Sequence, residues 1–386
     1  MIAVSPFRSE FPHPESLLYF NHAGVGPIPR CAAQRLAELS DHMACYGAWR
    51  YAEVLAPWQE AARVNLGRLL GVAADAISLV LNTSEGVSFV ALGIDWRPGD
   101  EVVTTDQEFP SNIVVWLDVA ARHGVTVHRV PSLADGGVDA GALLARVGPR
   151  TRVVAVSSVQ YGTGAVVDVA TLGRELAKTD TLLVVDAIQG LGVLPMDLPA
   201  LGVDALTADG HKWLLGPEGC GLLTLSAKGM SRIRPRVLGW HSVANAGEYD
   251  RITTELRPGG RRFEAGSPNL LGAAALAESV RLLLECGPEV VAARVRGLAG
   301  AMVRGLRERG CRIHTPLLAD GAPGAGIVVF SHPQADNRSL DAALRARGIF
   351  QVRRGAGIRW SPHFYQDEGD VARALTLLDE ALHGLK

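Results

Sequence analysis

Apolar, β-favouring runs alternate with helical stretches rich in Ala, Leu and Arg through the first two-thirds of the chain, and this alternation most constrains its fold. The clearest strand runs are residues 101–105, 125–130, 152–158, 181–185, 205–208 and 221–225. Between them, residues 112–123 and 171–178 carry apolar side chains at helical spacing. Continuous Val/Leu strands separated by helices imply an α/β fold with a mostly parallel central sheet covered on both faces. Ligands of such sheets bind outside the carboxyl ends of the strands. Residues 257–262, with Pro258, Gly259 and Gly260, read as an exposed connection. Beyond it the pattern changes to helices at 270–286 and 289–309, strands at 326–330 and 349–353, and a closing helix at 367–385. The expected division is an N-terminal arm (1–18), a large domain (19–262) and a smaller C-terminal α+β domain (263–386).

A chain of 386 residues exceeds one ordinary core, which agrees with two domains. The balance of 38 basic and 40 acidic residues leaves a net charge of −2, which argues against nucleic-acid and membrane-surface partners. No apolar run approaches the ~20 residues that cross a bilayer. Glu10, Pro12 and Pro14 stand where a secretory signal would be apolar. The 5 cysteines are scattered without a CxxC pair, so neither a disulfide framework nor a zinc site is expected. The expectation is a cytoplasmic enzyme.

The segment Ala208-Asp209-Gly210-His211-Lys212-Trp213 sets a lysine just after a strand run, in a chain whose other lysines are Lys178, Lys228 and Lys386. A lysine amine can lose its proton and form a Schiff base; an arginine cannot. Taken alone, Lys212 reads as a solvated turn residue, the common case for a lysine; its neighbours overturn that reading. Asp186 ends the strand run Leu182-Leu183-Val184-Val185. It can cap the next helix or hold a protonated heterocycle nitrogen. Asn82-Thr83-Ser84-Glu85-Gly86, ahead of a helix at 87–92, is an N-cap or a phosphate grip. Phe109 is a core aromatic or a stacking plate. An imine lysine, an aspartate for a pyridinium, hydroxyls for a phosphate and an aromatic plate together match the requirements of pyridoxal 5'-phosphate (PLP).

With these motifs in order, from Tyr19-Phe20-Asn21-His22-Ala23-Gly24 to the C-terminal helix, the chain resembles the class V aminotransferases of the fold-type I PLP-dependent enzymes. That group holds cysteine desulfurases, selenocysteine lyases, isopenicillin N epimerase and related C–S lyases. The resemblance implies Lys212 as the Schiff-base lysine and Cα proton shuttle, and Asp186 as partner of the pyridine nitrogen. It implies Gln189 near the ring's phenolic oxygen, Thr83, Ser84 and His211 on the phosphate, and Phe109 stacked on the ring. Phe263-Glu264-Ala265-Gly266-Ser267-Pro268-Asn269 matches the stretch that reaches a neighbouring subunit's site. Ser267 is thereby expected to touch phosphate in trans, in a homodimer. Arg359 matches the arginine that binds the α-carboxylate of a small amino-acid substrate.

Four departures bear on the activity. Desulfurases carry a cysteine-bearing loop before that arginine, whereas Val352-Arg353-Arg354-Gly355-Ala356 here runs directly into Gly357-Ile358-Arg359. Phe109 replaces a stacking histidine, and Asp209 replaces a phosphate-binding serine; Asp209 is expected to point away from the site or pair with an arginine. The family's ring-side asparagine is missing, with Val159 at its aligned position and Gln160 one step on. The leading expectation is β-elimination from, or transfer on, a cysteine-derived or similar small amino acid. Transamination, epimerisation or racemisation, and a PLP-binding regulatory subunit without turnover remain alternatives. His22, Trp240, His241, His314, Arg353 and His363 are candidates for the entrance, each equally readable as a packed or surface residue.

Overall fold

The computed structural model describes residues 6–385; the first five residues of the expected arm, and Lys386, lie outside them. In chain order the strands are β1 (Leu18–Tyr19), β2 (Ile77–Val80), β3 (Glu101–Thr105), β4 (Thr126–Val130), β5 (Thr151–Ser157), β6 (Leu182–Asp186) and β7 (Ala205–Asp209). They continue with β8 (Gly221–Leu225), β9 (Arg312–Ile313), β10 (Val328–Ser331), β11 (Ile349–Phe350), β12 (Val352–Arg354) and β13 (Gly357–Trp360).

Seven of them form the central sheet in the order β2-β8-β7-β6-β5-β3-β4. The run from β7 to β4 is parallel, while β8 and the edge strand β2 are antiparallel to their neighbours. Every residue of β6, β7 and β8 is buried, as the uninterrupted apolar runs imply. Alternation along the strands divides the side chains between two cores. Val154, Val156, Leu183 and Val185 join one cluster, and Val153, Ala155, Leu182 and Val184 join the other.

A second sheet, in the order β12-β13-β10-β9, is antiparallel throughout. Its core gathers Phe330, Ile358 and Trp360 with Leu340, Leu344 and Leu378 from the helices Asn337–Ala346 and Glu368–His383. β1 pairs with β11, which carries Leu18 and Phe20 from near the start of the chain into this distant core. The helix Leu270–Cys286 lies with the first cluster of the large sheet through Ala273, Leu276 and Val280. The next helix, Pro288–Glu308, serves both: Val291 and Val295 face the large core, and Leu298, Met302 and Leu306 the small one. Among the described residues, no helix is long and apolar enough to cross a membrane.

Candidate functional site

The carboxyl ends of β6 and β7 open onto a cavity of about 280 Å³, and Lys212, Asp186, Arg359 and Phe109 all line it. Thr83, Ser84, His211 and Gln189 line it as well. Residues 150 positions and more apart thus meet where a parallel sheet leaves a ligand crevice.

One wall is the start of the helix Thr83–Gly93, which begins earlier than the sequence pattern indicated because Asn82 caps it. The Asn82 side-chain oxygen accepts from Glu85 N at 2.9 Å, a cap worth about 1 kcal/mol. Gly86 lets this helix lie against β7, since a Cβ there would overlap the Thr207 hydroxyl. Thr83 Oγ1 is buried without a hydrogen-bond partner among the described residues, and Ser84 Oγ sits 2.7 Å from Ser111 Oγ.

Lys212 follows β7 by three residues and is buried. Burial pushes its amine down to about 8, against the opposing pull of the Asp186 carboxylate; Arg359 and Arg354 push it further down. The chain beyond it is held in a tight turn: Leu215 N donates to Lys212 O, and Leu215 adopts φ 57°. A bulky residue in that region costs about 1–3 kcal/mol and persists only when its surroundings fix it. Here Ser279 Oγ, on the helix Leu270–Cys286, donates to Leu215 O at 2.8 Å.

Asp186 is the last residue of β6 and is fully enclosed. Burial raises its carboxyl to about 7, although the Ile188 N–H (3.0 Å) and the Lys212 charge favour the ionised form. The Gln189 amide donates one N–H to Ala23 O at 2.9 Å and accepts from Trp213 Nε1 at 2.8 Å, which leaves its second N–H for a ligand. Phe109 places its ring centroid 5.5 Å from Lys212 Nζ and meets Tyr161 edge-on at 5.0 Å. Arg359 is buried in β13; its Nη1 donates to Tyr161 O at 2.9 Å, and its Nε has no partner among the described residues. Burial lowers its guanidinium to about 9, with Arg354 adding repulsion.

Two expectations need correction, that for Asp209 and that for the missing asparagine. Asp209 neither points away nor pairs with an arginine: it lines the cavity, with Oδ2 2.9 Å from His211 Nδ1. Asp209 closes β7 and His211 comes two residues later across Gly210, so the histidine is the nearest cation-capable group. Neither Val159 nor Gln160 takes the asparagine's place. Val159 is buried in a bridge to Val166, and Gln160 Nε2 donates to Glu108 at 2.7 Å. From that loop it is Tyr161 that faces the cavity. Ser267 lies in a separate cleft of about 200 Å³ with Leu81, Glu85 and Gly219. The segment that carries Ser267 is anchored by Glu264, which pairs with buried Arg63 at 2.6 Å and accepts from Leu79 N at 2.9 Å.

None of the six entrance candidates lines the cavity. His22 and His363 are instead buried behind it: His22 Nδ1 donates to Ser361 O (2.8 Å), Tyr365 Oη donates to His22 Nε2 (2.8 Å), and His363 Nε2 donates to Trp213 O (3.1 Å). Sequence reading missed Tyr161, Ser111 and Arg354 at the site, and Glu108 beneath it. Glu108 accepts from Thr105 Oγ1, Asn112 Nδ2, Ser157 N, Ser157 Oγ and Gln160 Nε2. One buried carboxylate thereby ties together the turns that carry Phe109, Ser111 and Tyr161.

The geometry agrees with what the chain is similar to. Residues 18–368 match the family model described as aminotransferase class-V. Isopenicillin N epimerase of Streptomyces clavuligerus is 30% identical, with 94% of each chain covered. A probable cysteine desulfurase of Pyrococcus abyssi is 25% identical, with 98% of each covered. Among solved structures, a lysine-to-alanine variant of C-DES with glycine covalently linked to its PLP cofactor superposes with a TM-score of 0.89 at 28% identity, covering 97% of this chain and 100% of that one. The cystine C-S lyase C-DES in complex with its product cysteine persulfide gives 0.88 at 28% identity, covering 96% and 99%. The chain belongs to the class V aminotransferase family and is a fold-type I, PLP-dependent enzyme.

Proposed function

We propose that this enzyme is a C–S lyase that carries out β-elimination on a small, cysteine-derived amino acid. The observation that carries the reading is the hairpin before Arg359. β12 and β13 are joined by Gly355 and Ala356 alone, with Arg354 paired to Gly357. Gly355 takes φ 56°, and a Cβ there would lie 2.6 Å from Gly162 O. A turn this short, seated against the Tyr161–Gly162 loop, has no room for a loop bearing a nucleophilic cysteine. Of the cysteines elsewhere, burial pushes the Cys220 thiol up to about 12 and the Cys311 thiol up to about 11. The resemblance to the cystine lyase supports the same reading.

The residues fit the cofactor. Thr83 Oγ1 is a buried hydroxyl lacking a partner at a helix N-terminus, where a phosphate is favoured. Asp186 is a buried carboxylate whose ionised form would be relieved by a cationic ring nitrogen. When bound, PLP supplies the aldehyde that captures the substrate amine and an electron sink for the Cα carbanion. Thr83, Ser84 and His211 would hold the phosphate, Phe109 the ring face, Gln189 the ring edge, and Asp186 the ring nitrogen. Ser267 would complete the phosphate site from the other subunit of a homodimer. Arg359 holds the substrate carboxylate, with Tyr161 O fixing its fork. That clamp sets Cα before Lys212, whose lowered pKa leaves an amine able to take the Cα proton near neutral pH. Departure of the β-thiolate follows, and with water the net products are pyruvate, ammonium and a thiol. Phe109 carries no exchangeable proton, so proton transfer falls to Lys212.

The PLP-loaded protein mixed with S-substituted cysteines tests the reading. Stoichiometric pyruvate and thiol support it. A pyridoxamine spectrum without pyruvate would instead establish transamination, and Cα deuterium exchange without either, accompanied by inversion at Cα, would establish epimerisation.

A further inference from the structure

The cavity holds a second guanidinium that the reading above leaves unused. Strand register explains why it is Arg354 and not Arg353. Val352 lies opposite Arg359, Arg353 opposite Ile358, and Arg354 opposite Gly357. Cross-strand partners project to the same face and successive residues to opposite faces. Arg354 and Arg359 therefore share one face of the hairpin, while Arg353 turns to the other and lies 3.9 Å from Asp341. Two residues of strand separate the stems on the shared face, about 7 Å at the usual rise.

Arg354 is exposed and lines the cavity. Its Nη1 donates to Arg353 O at 3.3 Å, and it makes no ion pair among the described residues. The cavity's own carboxylates are engaged elsewhere: Asp209 meets His211, and Asp186 opposes Lys212. Arg354 also repels both Arg359 and Lys212, which lowers their pKa values. A cation placed beside two others, without a carboxylate of its own, is answered by negative charge brought with the ligand.

We propose that Arg354 binds a second carboxylate, at the far end of the substrate's β-substituent, so that the preferred substrates are cysteine conjugates ending in a carboxylate. The proposal rests on the lyase reading for the identity of the reaction, while the anion site itself does not depend on turnover. Arg359 takes the α-carboxylate and Arg354 the distal one, and the span between the stems sets the length of the conjugate.

Two isosteric pairs test it. S-Carboxymethylcysteine and S-carbamoylmethylcysteine differ only in the distal charge. α-Aminoadipate and its side-chain amide are the corresponding pair with methylene in place of sulfur, and they cannot undergo elimination. Titration of the cofactor spectrum of the holoenzyme should show α-aminoadipate bound about tenfold more tightly than its amide, the size of a charge-assisted contact. Arg354→Ala should collapse that ratio towards one, Arg354→Lys retain part of it, and Arg354→Glu invert it. A wild-type ratio near one overturns the proposal. So does an Arg354→Ala variant that weakens both ligands equally, since Arg354 would then serve the α-carboxylate. Discrimination in binding without pyruvate from S-carboxymethylcysteine upholds the anion site and refutes the elimination reading instead.

Discussion

Replacing Asp186 by Asn separates the cost of burying a carboxylate from the use made of it. Burial raises this group from 3.8 to about 7 in the cofactor-free protein. Each pKa unit is worth about 1.4 kcal/mol, so roughly three units set the full cost of the ionised form at about 4 kcal/mol. The unfolded carboxylate releases its proton near 3.8, whereas the folded one keeps it until about 7. Across that window the folded state binds more protons, so stability falls as pH rises, and the whole penalty is present above it. Asparagine removes the ionisation and keeps an oxygen for the Ile188 N–H. It also deprives Lys212 of its favourable anion, which offsets part of the gain. In urea unfolding of cofactor-free protein, the advantage of Asp186→Asn over the parent should widen by about 2–3 kcal/mol between pH 5 and pH 8. With PLP bound the order should reverse at pH 8, because the variant no longer balances a cationic ring nitrogen. A stability difference that stays constant across this pH range would refute the burial argument. A variant that binds PLP as tightly as the parent would refute the assigned role.

Other substitutions probe the remaining parts of the site. Lys212→Ala should lower turnover by about a thousandfold or more and abolish the borohydride-fixed label found by peptide mapping; a label at another lysine would contradict the assignment. Phe109→Ala should weaken PLP binding by about 1 kcal/mol, read as a roughly fivefold rise in its dissociation constant. Glu108→Ala strands five donors and should cost about 3–5 kcal/mol in urea unfolding. Ser279→Ala removes the bond that holds the Leu215 turn and should cost about 1 kcal/mol, with a fall in kcat that exceeds the change in KM for any accepted substrate.

What could be read in the sequence and what could not divide along physical lines. β3 and β8 fall on the residues expected, and β4 to β7 within a residue at either end; for β5 to β8 the reason is burial on both faces, which demands a nearly continuous apolar run. The four-residue edge strand β2 escaped, since so short a run gives little periodicity and its pairing is antiparallel. Lys212, Asp186 and Arg359 were legible because each needs a particular functional group at a strand end or in a distinctive motif. Glu108 was not, because its partners Thr105, Asn112, Ser157 and Gln160 come from two strand ends, a helix and a loop whose convergence no local pattern records. Asp209 was misread because its repulsion from a phosphate was weighed while the histidine two residues away was not. Arg353 was singled out where Arg354 faces the cavity, and that error has a rule behind it. Two facing strands joined by a two-residue turn fix which side chains share a face: counting back from Arg359 across Gly355 and Ala356, parity selects Val352 and Arg354. The turn length was visible in the sequence as the missing cysteine loop. The short turn that argues against desulfuration is thus the same feature that aligns Arg354 beside Arg359 on the cavity face.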